Sequence, residues 1–249
     1  MPEISIITPS LNASKVIADC IRSVAEQTGK PQHLVIDGNS TDATLDVIRA
    51  AGAGVEIIQQ APAGIYPAIN AGIEASGGEI IGILHADDFY ASADVLQQVS
   101  AAFENPSVDA CYGDLCYVDC HQPSKIVRYW RAGEYRPGRL RHGWMPPHPT
   151  FFVRHNVYEQ FGCYRTDLGT AADYELMLRF LLKHGITAVY LPQVLVHMRA
   201  GGASNASWQA RLAANRMDRR AWKVNDLKPL PWTTMAKPLR KLGQWWSRP

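Results

Sequence analysis

Short apolar runs alternate with amphipathic segments through the first ninety residues. Ile4-Ser5-Ile6-Ile7-Thr8, Gln32-His33-Leu34-Val35-Ile36, Val55-Glu56-Ile57-Ile58 and Glu79-Ile80-Ile81-Gly82-Ile83-Leu84 have the length and β-branched content of buried strands. Between them, 16–27, 43–51 and 68–75 carry apolar residues at helical spacing, as with Ile17, Ile21, Val24 and Ala25. Strands alternating with helices at this interval predict a mostly parallel sheet covered on both faces, an α/β architecture. Further on, 111–118, 150–153 and 187–191 predict strands and 173–184 an amphipathic helix, while 128–141 reads as a basic, aromatic loop. No internal repeat and no linker separates two cores.

In a parallel sheet ligands gather beyond the carboxyl ends of the strands. Polar clusters follow Thr8, Ile36 and Leu84, so three strand ends converge on one candidate site. After Leu84 the chain reads His85-Ala86-Asp87-Asp88. Adjacent strand residues point to opposite sides, so one carboxylate faces a ligand while the other faces the protein. Hard oxygen ligands suit Mg²⁺ or Mn²⁺ in a shell shared with phosphates; capping of the next helix is the competing reading. Asp37, in Asp37-Gly38-Asn39-Ser40-Thr41-Asp42, is placed to accept from a ribose or a base edge, or to cap its own turn.

Bulk properties narrow the class. With 249 residues, 47% hydrophobic and 19% charged, the chain supports a sizeable globular core. A net charge of +2 gives no ground for a nucleic-acid partner. Five cysteines, an odd number, and a first strand with no charged lead or apolar run before it predict free thiols in a reducing, cytoplasmic setting. Cys111, Cys116 and Cys120 lack a CxxC pair and read as small hydrophobes of a strand. No run of 18 apolar residues occurs.

Four segments occur in order: Thr8-Pro9-Ser10-Leu11-Asn12, Val35 to Asp42, Gly64 to Ile73, and Gly77 to Asp88. Together with Tyr112-Gly113-Asp114, Pro147 to Phe152 and Ala172-Asp173-Tyr174-Glu175-Leu176, they resemble the family 2 inverting glycosyltransferases of GT-A fold over roughly residues 1 to 200. Within that family the chain is similar to bacterial transferases that build exopolysaccharide or O-antigen units. The resemblance implies one Rossmann-like GT-A domain at 1–205, with a nucleotide-sugar half at 1–90 and an acceptor half at 91–205, followed by a C-terminal helical extension at 206–249. It implies a hexosyltransferase-type enzyme that moves a sugar from a nucleotide-sugar donor to a saccharide or lipid-linked saccharide acceptor in cell-surface polysaccharide biosynthesis. Thr8, Pro9, Asn12, Asp37, Asn70, His85, Ala86 and Asp87 are then expected around the nucleotide sugar. Asp87 matches the metal-ligating acid of the DxD motif, with Mn²⁺ or Mg²⁺ as cofactor, and Asp173 matches the general base. A late histidine, here His197, completes the metal shell in some related folds.

The match has departures. His85 stands at the first DxD position, Pro62 and Pro67 stand where relatives often carry acids, and Ala172 precedes Asp173 where others have Glu. These motivate a competing reading, a catalytically impaired nucleotide-sugar-binding subunit of an assembly complex. A nucleotidyltransferase ranks lower, because Pro9-Ser10-Leu11-Asn12 is not a Gly-rich basic loop. His148, between prolines, is expected either to orient acceptor or donor phosphate or to be a rigid loop contact. Arg199, before Gly201-Gly202, is expected to clamp the diphosphate from a mobile loop. The extension interleaves Lys237, Arg240, Lys241 and Arg248 with Trp245 and Trp246. That composition fits a membrane interface, which would make the enzyme peripheral on the inner face of the cell membrane, or a segment packed on the core.

Overall fold

In the computed structural model the described residues are 2–51, 54–201 and 208–233, with the backbone alone for 208–213. The four expected parallel strands are β1 (Ile4–Ser10), β2 (Gln32–Asp37), β3 (Val55–Gln59) and β4 (Ile80–Ile83). β1 takes β2 on one side and β4 on the other, and β3 pairs outside β2, all parallel. The remaining strands are β5 (Phe89–Tyr90), β6 (Ala110–Val118), β7 (Ile126–Trp130), β8 (Phe152–Arg154) and β9 (Ala188–Arg199). The sheet runs β3-β2-β1-β4-β8-β6-β9-β5, with β7 beside β6. β8 and β7 share one edge of β6, at its start and at its end, and β9 lies parallel along the other.

Helices cover both faces: α1 (Ile17–Ala25), α2 (Thr44–Ala51), α3 (Ile65–Ala75), α4 (Val95–Ala102), α5 (His155–Phe161), α6 (Ala172–Met177) and α7 (Trp208–Val224). Ile7, Ile36, Ile69, Ile73, Ile81 and Ile83 build the core beneath α3; Ile6, Cys20, Val24, Leu96, Val99 and Phe152 build the opposite face. Gly72 lets α3 lie close on β1, because a Cβ there would stand 2.4 Å from Ile7.

Several elements depart from expectation for local reasons. α3 starts three residues before the apolar periodicity suggests. Gly64 at φ 104° turns the chain, and Pro67 falls in the first turn, where no helical N–H partner is needed. The helix expected over 173–184 is α6 followed by a π-helical segment, Leu178–Lys183. The region read as loop from Arg128 begins inside β7, an edge strand, and β9 is a 12-residue strand that runs well past the expected 187–191.

α7 packs on the core through Ala221 and Trp222, both fully buried, and the Trp222 indole donates to the Tyr174 hydroxyl at 3.0 Å. Glu175, also buried, takes a bidentate grip from Arg179 (2.9 and 3.1 Å) and one bond from Asn225 (3.1 Å), tying the end of α7 to α6. Lys237, Arg240, Lys241, Trp245, Trp246 and Arg248 lie outside the described residues.

Candidate active site

The ends of β1 and β2 are sewn together by their turns. Asn12, at φ 50°, donates its main-chain N–H to Ser40 Oγ (2.8 Å) and accepts from the Thr41 N–H (2.9 Å). Asp37 is fully buried and holds Ser40 through its N–H (2.8 Å) and hydroxyl (2.6 Å). Asp42 accepts from the Ser14 hydroxyl (2.6 Å) and the Thr44 hydroxyl, which pull its carboxyl down to about 2. Pro9 and Ser10 are buried beneath this junction, and Leu11 is exposed above Gly38. Thr8 turns inward: its hydroxyl meets His33 Nε2 at 3.0 Å and Cys20 Sγ at 3.7 Å.

Beyond β4, the Asp88 N–H closes a turn on the His85 carbonyl (3.0 Å) and separates the motif's side chains. Ala86 packs with Ile17, Ile21 and Ile48. Asp88 is fully buried and neither carboxyl oxygen has a hydrogen-bond partner among the described residues. Burial first, and the Asp87 charge second, hold its carboxyl well above the usual range, with Arg199 opposing. Asp87 is partly exposed on the site side.

The His85 ring meets the His148 ring at 5.7 Å. His148 Nε2 is 2.8 Å from the Tyr164 hydroxyl, and Tyr164 stacks on Tyr66 at 5.6 Å. Asn70 fixes this wall: its amide donates to the Tyr164 carbonyl (2.8 Å) and accepts from the Tyr164 N–H (2.9 Å). Burial pushes both imidazoles down to about 4, and His148 adds to the effect at His85. The negative charges of Asp87 and Asp173 act on His85 in the opposite sense, so one ring feels the field of both carboxylates. Burial, then the Asp173 charge, raises the Tyr66 hydroxyl. His85 and His148 thus meet, the charges of Asp87 and Asp173 both act on His85, and Asp173 sits in the first turn of α6.

Arg199 and His197 lie on β9, beside β5. His197 pairs with Phe89 in register and sets its ring edge-on at 5.3 Å. Arg199 is the last residue of β9, within the sheet rather than in a loop; its guanidinium is ion-paired with Asp19 of α1 and lies over Phe89 at 5.3 Å.

The family model described as Glycosyl transferase family 2 matches residues 5–162. The chain belongs to glycosyl transferase family 2. A PGL/p-HBAD biosynthesis glycosyltransferase of Mycobacterium tuberculosis is 30% identical over 211 residues, covering 82% of this chain and 80% of that protein. An uncharacterized glycosyltransferase of the same species is 29% identical over 73% of this chain and 70% of its own length. Among solved structures, S. aureus TarS superposes with a TM-score of 0.65 at 16% identity, over 98% of this chain but 44% of the TarS chain. The mannosyltransferase PcManGT from Pyrobaculum calidifontis, in complex with GDP-Man and Mn²⁺, gives 0.65 at 18% identity over 96% of this chain and 69% of its own. The fold is that of the GT-A transferases.

The transferase also holds residues that strand-end reasoning does not reach. Tyr66 and Tyr164 build the aromatic wall between His148 and Asp173. Asp114 on β6 is buried and takes the hydroxyls of Tyr129 and Tyr190 (2.8 Å for the latter) and the Ala132 N–H (2.8 Å), fixing the start of the loop that leads to His148. Tyr66 is visible in sequence as the aromatic residue following Gly64-Ile65; the Asp114 contacts are not. Among the described residues of this transferase no three His, Cys, Asp or Glu side chains form a set able to hold a metal ion by themselves. Mg²⁺ and Mn²⁺ sites completed by substrate phosphates need only one or two carboxylates, and partly exposed Asp87 meets that lesser requirement.

Proposed function

We propose that this transferase is an inverting enzyme, with Asp173 as general base and Asp87 as the metal acid. The reading is supported chiefly by the His85 ring, which lies 5.7 Å from the His148 ring and on which the charges of both Asp87 and Asp173 act. In the reaction the acceptor oxygen bonds to the anomeric carbon from the face opposite the nucleotide. The bond from that carbon to the diphosphate breaks, and Asp173 takes the acceptor hydroxyl proton. Asp87, with His197 as a further candidate, would hold Mn²⁺ or Mg²⁺, which when bound would supply Lewis-acid stabilisation of the departing diphosphate.

The half at 1–90, with Pro9, Asn12 and Asp37, is read as holding the nucleotide, and the half at 91–205, with His148, as facing the acceptor. Asn70, Thr8 and Ala86 act there by supporting the walls, since their side chains are engaged with Tyr164, His33 and α1. Arg199 reaches a diphosphate only by leaving Asp19; unchanged donor affinity in Arg199→Ala removes it from the donor site. The solved relatives whose complexes hold UDP-GlcNAc and GDP-Man support a nucleotide-diphosphate hexose as donor. The acceptor is read as a saccharide or lipid-linked saccharide of a bacterial surface polysaccharide, met at the inner face of the cell membrane. No helix among the described residues is long and apolar enough to cross a membrane.

The test is transfer from a panel of nucleotide sugars with Mn²⁺. Asp173→Asn should keep donor affinity and lose kcat by about 10²–10⁴-fold, whereas Asp87→Asn should lose metal-dependent donor binding. Donor binding by the unaltered chain without turnover on any acceptor would instead favour a nucleotide-sugar-binding subunit.

A further inference from the structure

Two stretches that the catalytic reading leaves unused meet on one surface. The loop before His148 and the segment after α7 are locked together: the Arg141 guanidinium donates to the Lys228 carbonyl, and the Thr233 hydroxyl donates to the Arg141 carbonyl (2.5 Å). The Leu230 N–H closes on Thr233 Oγ1 at 2.9 Å and sets the turn. This turn carries Trp232, 51% exposed, with the His142 ring 6.5 Å away. Leading up to it, α7 carries Arg216, Arg219 and Lys223 at i, i+3 and i+7, exposed on one face, and exposed Lys228 follows. None of these four cations pairs with an acid among the described residues.

The acids nearby do not neutralise the stripe. Asp218 is buried, Asp167 is engaged by Arg165 and Arg220, and Asp226 faces Lys183 at 3.8 Å. An exposed indole at the end of an uncompensated basic face has the chemistry of an interfacial contact.

We propose that this surface seats the transferase on an anionic lipid bilayer, with Trp232 at headgroup depth and the α7 stripe against lipid phosphates. The orientation follows from chain geometry. Five residues separate His142 from His148, a reach of at most about 22 Å, and they run through buried Trp144, Met145, Pro146 and Pro147. The site is therefore held a fixed, short distance above the surface, suited to an acceptor sugar on a lipid-borne phosphate. That last step rests on the lipid-linked reading above; the seat itself does not.

The experiment is flotation of the full chain with phosphatidylcholine vesicles, with and without one quarter phosphatidylglycerol, at 0.1 M and 0.5 M salt. Binding is expected on the anionic vesicles only and is released by salt. Each surface cation is worth about fivefold in partitioning, so Arg216→Gln/Arg219→Gln/Lys223→Gln should bind about a hundredfold more weakly, and Trp232→Ala several-fold more weakly. Thermal midpoints, and transfer to a water-soluble acceptor, should match the unaltered chain in both variants. Equal partitioning of the triple variant and the unaltered chain overturns the proposal, because binding would then reside elsewhere, as in residues 234–249. So does retention on heparin with no vesicle binding, which would mark a site for soluble polyanions. Absence of transfer in the unaltered chain counts against the catalytic reading alone, since flotation is scored without turnover.

Discussion

Acid should destabilise this protein through its buried histidines, and His33 isolates the effect. Its ring sits in β2, 3% exposed, with Nε2 3.0 Å from the Thr8 hydroxyl, and burial lowers it to about 4. Unfolded, the same ring titrates near the ordinary 6.5. The neutral ring therefore contributes stability that is complete above about pH 6.5 and is lost as pH falls toward 4. At pH 5 nearly all unfolded chains carry this proton and few folded ones do, a difference of about 2 kcal/mol. His148 is lowered by burial to the same value and adds a similar amount. About 4 kcal/mol for the pair is a large share of the 5–15 kcal/mol typical of a whole domain. Asp88 works in the opposite direction, because a carboxyl raised in the folded state takes up its proton earlier there than in the unfolded chain. A bare pH profile mixes these contributions; a difference between variants separates them. Urea titrations of the unaltered chain and His33→Gln, followed by circular dichroism at pH 8, 6.5 and 5, should give free energies of unfolding that fall less steeply in the variant, by about 2 kcal/mol over the range. Parallel profiles for the two proteins would refute the reasoning, since they would mean that His33 is protonated in the folded state at the pH where the unfolded chain protonates.

Three further outcomes can be checked by similar means. Trp222→Ala should cost about 3–5 kcal/mol in denaturant unfolding, because it empties a fully buried site and removes the indole N–H that the Tyr174 hydroxyl accepts. Gly82→Ala should destabilise by about 1–3 kcal/mol, since its Cβ would stand 2.5 Å from the Phe152 ring, while Gly138→Ala, whose Cβ meets nothing within 4 Å but whose φ is 90°, should lose stability only through backbone strain. Asn70→Ala should release the Tyr164 main chain at a cost of about 1–3 kcal/mol and lower kcat more than donor affinity, read by steady-state kinetics beside donor titration.

Much of the site could be read along the chain because strand ends are marked locally. A buried apolar run stops and a polar turn begins, and in a parallel sheet the ends of β1, β2 and β4 must share an edge. That logic alone places Asp37, His85 and Asp87 at this edge, though the Asp37 carboxylate is taken up by Ser40. Residues whose partners lie far away in sequence are not. The Thr8 hydroxyl is satisfied by His33, the Asn70 amide by Tyr164, and Arg199 by Asp19, 180 residues distant. Each is a polar residue in a motif segment that reads as ligand-facing until its internal partner is known. α4 failed for a different reason: Val95, Leu96 and Val99 carry a helical pattern, but over eight residues and one apolar face it is too short to separate from the surrounding turns.

His85 changes meaning most between sequence and structure. Along the chain it is an acid replaced at the first DxD position. In space its ring lies against His148, and the charges of Asp87 and Asp173 both act on it. A carboxylate there would add a third negative charge to the field of the other two, where the proposed reading brings in a diphosphate. Like charges close together push each other toward protonation, which would work against the proposed base, since it must be ionised to accept a proton. Burial keeps the imidazole neutral, so the position contributes shape and hydrogen-bonding capacity without that repulsion. Its buried Nδ1 has no partner among the described residues, and a buried nitrogen without one is costly. On the proposed reading that nitrogen awaits a group that arrives with the donor, and Asp87 is the acid that works with the phosphates.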